Sequence, residues 1–426
     1  MKKTPKKRGN AADLEKQALC LISDPKLLFR AGQKIRQLGV VGEERNALIL
    51  LLAGIARTLP DPPSVLVKGS TSSGKSTLVK ESVQLFPPDC VVERAGLSVK
   101  ALAYGKGSLA NKILFINEYR CGRDSQLLLR LLQTEGRIRH ESTTLWGSRR
   151  STKTVERIGA PVVLTTTTDD KVFADDETRF LSVWIDESPD QTLAILKAQV
   201  CGRKAINYRD LPVWRTALSL LKCGEKDFRN PPAWLQYVAQ QLPLEKVRVR
   251  RDWKRFLGFC KAVALCHPTK KHGETRDITF ADYCVAYRIL EPVLASTMHG
   301  FPSQQLLIGK AVASLNKRLG RAVTAREIAQ ELKWKESLVY KHVKPAVRHR
   351  ILEYEPGARE QNVKRLFALK GARDRFLASP SSVFRNNPKI GTKATCINPF
   401  TGKRRILRRE GKLRNKRGGH GESNDT

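Results

Sequence analysis

The stretch VLVKGSTSSGKSTLVK at residues 65–80 constrains the fold of this chain more than any other segment. Its first three residues form an apolar run that is typical of a buried parallel strand. Residues 69–76 then match the pattern G-x-x-x-x-G-K-S/T, and the residues from Thr77 onward predict a helix. A strand before this pattern and a helix after it form the setting in which such a loop binds nucleotide phosphates. The sequence therefore predicts a P-loop.

The residue types of this loop suit the binding of ATP together with Mg²⁺. Its glycines let successive backbone N–H groups turn toward phosphate oxygens, and the N-terminus of the following helix adds its positive end. Lys75 is predicted to reach the β- and γ-phosphates, and Ser76 to offer its hydroxyl to Mg²⁺. The predicted nucleotide-binding residues are Gly69, Ser70, Thr71, Ser72, Ser73, Gly74, Lys75, Ser76 and Thr77.

An apolar run that ends in polar residues, KILFINE at 112–118, predicts a second core strand. In P-loop ATPases such a strand lies beside that of the P-loop and delivers a carboxylate to Mg²⁺ and the attacking water. The usual aspartate is replaced here by Asn117, which contributes no charge, and Glu118 follows it. We therefore assign the general-base role to Glu118 by elimination, and expect both residues to lie with Ser76 at the Mg²⁺ site. The alternative is an ordinary buried strand with a polar end.

Two further strands carry candidate catalytic residues. The strand at 160–168 ends in threonines, and Thr165 or Thr166 is placed to orient the attacking water. We choose Thr166, although a run of threonines also suits strand propensity alone. Arg179 precedes another apolar strand and is predicted to reach the γ-phosphate of a neighbouring subunit, where it would neutralise charge in the transition state. A structural salt bridge with the acidic residues at 175–177 is the alternative.

The charge of the chain indicates a polyanionic partner. Its formal net charge is +37 over 426 residues, an excess that most soluble folds do not need. The longest apolar segment, at 47–56, is too short to cross a bilayer and predicts a buried helix. The basic N-terminus lacks the apolar stretch of a signal peptide. We therefore expect DNA rather than a membrane as the partner, and a DNA-associated protein of a prokaryotic cytoplasm.

Residues 136–158 alternate in polarity and turn at Trp146-Gly147-Ser148, which predicts a β-hairpin with a basic tip. A solvated surface hairpin is the plainer interpretation of this pattern. In an oligomeric motor the same tip would grip DNA, and its candidate DNA-binding residues are Arg149, Arg150 and Lys153.

A second DNA-binding element is predicted near the C-terminus. A helix at 303–319, a capping box opening a short helix at Thr324, another helix at 337–347 and two strands within 351–369 form the order of a winged helix-turn-helix. The basic character favours DNA, although winged helices also serve protein contacts. Its candidate DNA-binding residues are Lys341, His342 and Lys344 on the second helix and Arg359 on the wing.

Several of these stretches resemble the AAA+ ATPase part of primase-helicases carried by plasmids and integrative mobile elements. More distantly, they are similar to the minichromosome-maintenance helicase core. The matching stretches between residues 39 and 187 are GVVGEE, GSTSSGKST, KILFINE, LLQTEGRI, VVLTTTT and TRFLSVWIDE. Residues 247–267 resemble the helical lid of that family. In such a lid Arg250 or Arg251 would be a second phosphate sensor, although basic residues that open a helix in a chain of this charge are usually surface residues. The resemblance implies a homo-oligomeric ring such as a hexamer, with the finger Arg179 supplied in trans.

These observations predict an α/β fold with an AAA+ P-loop ATPase core, a parallel sheet flanked by helices. The expected segments are a basic arm with N-terminal helices (1–60), the ATPase core (61–190), a helical lid (191–300), a winged helix domain (301–372) and a disordered basic tail (373–426). Within the first segment, residues 1–10 are expected to be disordered, and the dense basic run at 403–417 is expected to order only on phosphate.

The function expected from this arrangement is that of an ATP-driven DNA motor. It would be a replicative helicase or replication initiator of a mobile genetic element, acting on single-stranded or forked DNA. The primase module common in such proteins is absent from the sequence, so a separate primase is a possible partner. The alternative is a DNA-bound ATPase switch that does not translocate and acts in transposition, partitioning or regulation.

Overall fold

The computed structural model of the protein describes residues 6–105, 107–119, 122–146, 149–169, 172–200, 208–222, 228, 231–267, 277–299, 303–348, 351–355, 365–368 and 376–408. Its helices are α1 (Lys6–Ile22), α2 (Leu27–Gln37), α3 (Glu44–Ile55), α4 (Lys75–Val83), α5 (Val99–Tyr104), α6 (Arg123–Glu135), α7 (Ala174–Glu177), α8 (Pro189–Val200), α9 (Leu211–Leu220), α10 (Trp234–Gln240), α11 (Val249–Leu265), α12 (Phe280–His299), α13 (Ser303–Leu319), α14 (Ala325–Leu332), α15 (Glu336–Arg348) and α16 (Pro380–Asn386). Its strands are β1 (Ser64–Lys68), β2 (Val91–Arg94), β3 (Ile113–Ile116), β4 (Arg137–Trp146), β5 (Arg149–Ile158), β6 (Val162–Thr167), β7 (Phe180–Trp184), β8 (Val323–Thr324), β9 (Leu352–Tyr354), β10 (Arg365–Ala368), β11 (Lys393–Ile397) and β12 (Arg404–Arg408).

A five-stranded parallel sheet in the order β2-β3-β6-β1-β7 forms the centre of the protein. Every residue of β1, β3 and β6 is buried, as expected for parallel strands covered by helices on both faces. The register pairs Lys68 at the end of β1 with Thr167 of β6 and Trp184 of β7. The carboxyl ends of these strands therefore lie along one edge of the sheet. The predicted α/β fold with a parallel sheet and flanking helices is confirmed.

The helix α3 is buried along nearly its whole length, because its ALILLLAGI segment is apolar on all sides. It packs against α4, α11 and α12 and is part of the same hydrophobic cluster as one face of the sheet. This confirms the buried helix predicted at residues 47–56. Within the described residues, no helix combines the length and the apolar character needed to cross a membrane.

One helix of the predicted lid, α11, does not lie over the P-loop. α11 lies beside the residues that precede β1: the Lys254 ammonium pairs with Asp61, and a Cβ atom at Gly258 would lie 3.5 Å from Pro63. Arg255 donates to the carbonyl of Thr178, which precedes β7. α11 therefore lies where the strands begin, at the edge opposite the P-loop, and its core residues belong to the main cluster. For α11 the expected position above the nucleotide is therefore wrong, because helical periodicity predicts a helix but not where it packs.

The C-terminal segment is folded, in contrast to the predicted disordered tail. The side chains of Phe376, Leu377, Val383, Phe384 and Cys396 are buried in the main hydrophobic cluster. β11 and β12 form an antiparallel hairpin against α12, and the buried Glu291 accepts hydrogen bonds from the N–H groups of Phe376 and Leu377, each at 2.8 Å. The expected disorder of 373–426 is thus wrong for residues 376–408, which include the start of the run at 403–417. Residues 409–426 lie outside the described residues.

The expected disordered arm at 1–10 is also wrong in part, because α1 begins at Lys6. The predicted hairpin at 136–158 is confirmed as β4 and β5, paired from Arg137 with Ile158 to Trp146 with Arg149. At its base, Arg157 donates to the carbonyls of Ala101 and Leu102 at 3.1 and 2.8 Å and so anchors the hairpin to α5. The turn residues 147–148 lie outside the described residues, as do the side chains of Arg149, Arg150 and Lys153.

Residues 303–368 form a smaller unit with its own hydrophobic core. The helices α13, α14 and α15 surround a cluster that includes Val312, Ile328 and Val339, and a three-stranded sheet in the order β8-β10-β9 closes it. α14 begins with the predicted capping box between Thr324 and Glu327. A hydrogen bond from Arg321 and those from Thr324 lower the pKa of Glu327 to about 2. These elements follow the predicted order, but residues 356–364, which include Arg359, lie outside the described residues.

Candidate nucleotide-binding site

The loop between β1 and α4 has the backbone geometry of an anion cradle. Gly74, the N-cap of α4, has φ +90°, and Ser72 has φ +65°, so the chain turns twice through the left-handed region. No side chain caps α4, which leaves its first N–H groups available to an anion. At Gly69 a Cβ atom would lie 2.9 Å from the Ser73 hydroxyl, so the close packing of the loop requires glycine there.

The predicted phosphate-binding lysine lies inside this loop. Lys75 is buried, and its Nζ donates to the carbonyls of Gly69 and Ser70 at 2.9 and 2.6 Å. Burial lowers the pKa of Lys75, while the negative charges of Glu187 and Glu118 act in the opposite direction. Both carboxylates are therefore close enough to act on the charge of the lysine. Phosphate oxygens could replace the two carbonyls as acceptors, and the Ser73 hydroxyl, which is buried without a partner, is a further donor.

The end of β3 brings the predicted metal and base residues to the same edge of the sheet. β6 separates β3 from β1, and the Thr166 hydroxyl on β6 donates to the carbonyl of Asn117. The backbone N–H of Tyr119 returns a hydrogen bond of 2.7 Å to the Thr166 carbonyl. Thr166 thus fixes the segment that carries Glu118. Its hydroxyl is engaged with the backbone rather than directed at water, which differs from the role chosen for it from the sequence.

A carboxylate that sequence reasoning missed lies beside the uncharged Asn117. The Asn117 Nδ2 donates to the Glu93 carboxylate at 3.2 Å, and β2, which carries Glu93, pairs with β3 in parallel. Because a carboxylate only accepts, the amide nitrogen faces Glu93 and the Asn117 oxygen points away from it. The available signal was an acidic residue directly after the apolar pair Val91-Val92, in the strand β2 that ends at this same edge.

A second missed carboxylate belongs to Glu187, which follows β7. One of its oxygens accepts a hydrogen bond from the Ser70 N–H of the P-loop, and the other lies 3.4 Å from the Lys341 ammonium on α15. Burial raises the pKa of Glu187, but the hydrogen bonds from Ser70 and the charge of Lys341 outweigh it and leave the pKa below its ordinary value. Glu187 is therefore ionised and lies between the P-loop and the smaller unit.

A cavity of about 700 Å³ lies beside this edge of the sheet. Its walls come from the loop before α3, the end of β7, α12, α13 and Trp334, and Asp186 and Ser188 on its wall flank Glu187. Burial raises the pKa of Glu43 in the wall to about 7, although this side chain accepts hydrogen bonds of 2.6 Å from Asn46 and 2.7 Å from the Asp186 N–H. The volume is that of a typical small-molecule site with a few polar groups.

Arg179 lies at the opposite edge of the sheet. Phe180 pairs with Ser64, five residues before Gly69, which at about 3.3 Å per residue places Arg179 roughly 17 Å from the P-loop of its own chain. The nearby acids are engaged elsewhere: Asp176 pairs with Arg130, and Glu177 lies 2.6 Å from Lys68. Within the described residues Arg179 forms no ion pair.

The Arg179 guanidinium is held among other cations. Its Nη1 lies 3.5 Å from the Thr134 hydroxyl, and its Nε is buried without a partner in the described part of the chain. Burial and the charges of Arg251 and Arg130 lower its pKa. Arg251 itself donates to the Thr178 hydroxyl at this edge. Because Arg251 lies at this edge, away from the P-loop of its own chain, the predicted phosphate-sensing role of Arg250 or Arg251 stays a prediction.

The predicted DNA-binding residues of α15 differ in their surroundings. Lys341 and Lys344 are exposed, whereas His342 is half-buried with its ring 6.4 Å from that of Trp334. Burial, and after it the charge of Lys341, lowers the pKa of His342. The roles of all three in DNA binding stay predictions.

Comparison with known proteins supports the P-loop assignment. A family model described as "MTBMA_p00010 P-loop domain" matches residues 34–222. No curated protein matches the chain. Among solved structures, a RuvB variant from Thermotoga maritima is 14% identical over 78% of this chain and 93% of its own, with a TM-score of 0.26. ORC1 from Aeropyrum pernix in complex with DNA is 12% identical over 82% of this chain and 93% of its own, with a TM-score of 0.25.

NtrX from Brucella abortus in complex with ADP is 14% identical over 72% of this chain and 69% of its own, with a TM-score of 0.25. TM-scores of this size do not establish a shared fold. The assignment therefore depends on the family model together with the strand, loop and helix geometry around Lys75. The chain has a P-loop domain.

Proposed function

We propose that the protein is an AAA+ ATPase that couples ATP hydrolysis to work on DNA, as a replicative helicase or replication initiator of a mobile genetic element. The observation that carries the proposal is the position of Lys75 inside an uncapped P-loop, within electrostatic reach of the Glu118 carboxylate. A cradle for phosphates and a base for water are the minimum set for phosphoryl transfer to water.

In this proposal the phosphates of ATP bind the N–H groups of the loop and Lys75. Ser76 and the oxygen of Asn117 would hold Mg²⁺, the second through a metal-bound water. When bound, Mg²⁺ neutralises charge on the β- and γ-phosphates. Glu118 accepts the proton of the attacking water, and Thr166 holds the backbone that carries Glu118. The cavity lined by Glu43, Asp186 and Ser188 has room for the nucleoside.

The position of Arg179 supports action between subunits. It is too far from the P-loop of its own chain to contact the γ-phosphate there, yet it is a cation whose buried Nε has no partner among the described residues. A homo-oligomeric ring would bring this edge of one subunit to the P-loop of the next. Arg251, which contacts Thr178 beside it, would enter the same interface.

DNA is the proposed partner on grounds of charge. The net charge of +37 favours a polyanion, and the sequences of the β4–β5 hairpin and of α15 carry basic residues. The second candidate function, a DNA-bound ATPase switch that does not translocate, is favoured by one observation. Lys341 of the proposed DNA-binding helix is bound to Glu187 beside the P-loop, as a switch between DNA and nucleotide would require.

The test is ATP hydrolysis with and without single-stranded DNA, measured together with displacement of a labelled strand from a forked duplex. Glu118→Gln and Lys75→Ala are the controls. Stimulation by DNA with displacement, lost in both variants, supports the motor. Stimulation without displacement supports the switch, and no hydrolysis under any condition refutes the ATPase assignment.

A further inference from the structure

Glu187 joins the P-loop to the smaller C-terminal unit through two separate contacts. Its carboxylate accepts from the Ser70 N–H and lies 3.4 Å from the Lys341 ammonium of α15. A Cβ at Gly69 would lie 3.2 Å from the same carboxylate, so Glu187 is packed directly against the loop. α15 does not need this contact to fold, because the smaller unit has its own core.

The charge of Glu187 matters to any anion that enters the loop. The carboxylate acts on the pKa of Lys75, so it is close enough to act on phosphates bound by that lysine. The negative charge of a carboxylate repels a neighbouring triphosphate, and the positive charge of Lys341 partly neutralises that of Glu187. The Lys341 side chain is 58% exposed and that of Glu187 29%, so the pair is partly screened and reversible.

Glu187 and a DNA phosphate would compete for the same ammonium group of Lys341. A polyanion on α15 would therefore draw Lys341 away and leave the charge of Glu187 unpaired beside the P-loop. By linkage, nucleotide binding would weaken polyanion binding to α15 by the same factor.

We propose that Glu187 is a positioning residue through which α15 sets the nucleotide affinity of the P-loop, and that DNA on α15 lowers this affinity by competing for Lys341. The proposal depends on the proposed function for nucleotide binding at the P-loop. It goes beyond it by identifying the residue pair that couples the two ligands and the sign of the coupling.

The experiment measures the affinity of the full-length protein for a fluorescent ADP analogue with Mg²⁺, by titration at low ionic strength. Lys341→Ala should weaken binding by up to about fivefold, the range of an exposed ion pair. Glu187→Gln should strengthen it, because glutamine can still accept from the Ser70 N–H without a charge. In the double variant, the loss of Lys341 should have little further effect. Lys317→Ala, another exposed lysine of the same unit on α13, is the matched control and should leave affinity unchanged.

The second arm adds a duplex DNA to each titration. DNA should weaken binding of the analogue to the wild-type protein and have a clearly smaller effect on the Glu187→Gln/Lys341→Ala variant. The proposal is overturned if Lys341→Ala changes the affinity equally in the wild-type protein and in the Glu187→Gln variant. It is also overturned if Lys341→Ala has the same effect as Lys317→Ala. Lys75→Ala separates the two levels: if the wild type binds the analogue and Lys75→Ala does not, the nucleotide site stands whatever the coupling shows. If neither binds, the proposed function fails.

Discussion

The C-terminal segment offers a sharp test, because a folded module and a disordered tail respond to mutation in opposite ways. Phe384 on α16 is 2% exposed, and its ring stacks on that of Phe280 of α12 with a centroid distance of 5.7 Å. Truncation of a buried phenylalanine to alanine costs about 3–5 kcal/mol, from lost burial and the cavity left behind. For a domain of this size that corresponds to a fall in Tm on the order of 10 °C.

The measurement is thermal unfolding of the full chain, followed by fluorescence, with limited trypsin digestion as a second readout. Phe384→Ala should lower Tm and speed cleavage at Arg385 and Lys389, which lie beside the altered side chain. Ile406→Ala on β12 is the control, because Ile406 is 43% exposed and should change Tm by little. An unchanged Tm and digestion rate for Phe384→Ala would refute the folded arrangement of residues 376–408.

Three further outcomes follow from the site. Asn117→Asp should place a second carboxylate beside Glu93, and the two negative charges should repel each other. The substitution should therefore raise the affinity for Mg²⁺ only when Glu93→Gln removes this repulsion. Mg²⁺ titrations of nucleotide binding compare the single and double variants. Burial raises the pKa of Glu43 to about 7, above the unfolded value of 4.5, so the folded state binds this proton more tightly than the unfolded state. The free energy of unfolding should therefore fall as the pH rises from 4.5 to 7. Urea unfolding at pH 5 and pH 8 should show this loss, about 3 kcal/mol at most, in the wild type and not in Glu43→Gln. Arg179→Ala should lower ATP hydrolysis by roughly 10³-fold without weakening nucleotide binding, and equal loss of both would place Arg179 in the structural framework instead.

The parts of the fold that the sequence predicted are those with strong local signals. The apolar run of β1, the glycines of the loop and the capping box at Thr324 each act within a few residues, and the structure has them where the pattern indicates. The β4–β5 hairpin was equally accessible, because strict alternation fixes its register. For these elements, local propensity and tertiary position agree.

The C-terminal hairpin escaped prediction because its buried face is small. Only Ala394, Cys396 and Leu407 contribute apolar contact from β11 and β12, and the basic residues between them occupy exposed positions. Composition alone predicts that such a segment is too charged to fold, because it does not include the apolar surface that α12 supplies. Arg405 and its neighbours are folded because of tertiary packing.

The site residues missed by the sequence share one property. Glu93 and Glu187 each lie at or just beyond the end of a parallel strand that is not the strand of the P-loop, and the strand order brings them to the edge where Lys75 lies. One-dimensional spacing gives no indication of which strands are neighbours. Once the order is known, every acidic residue that ends a core strand becomes a candidate.

The same strand order separates the two halves of the proposed reaction. The phosphate cradle and Glu118 lie where the strands end, whereas Arg179 lies where β7 begins, about 17 Å away. If both groups act on one nucleotide, a single subunit holds only half of each site. Hydrolysis per subunit should then rise with protein concentration, while nucleotide binding through Lys75 should not. A rate per subunit that stays constant on dilution below the association range, as seen by sedimentation, would show that one chain holds the complete site and that Arg179 acts elsewhere.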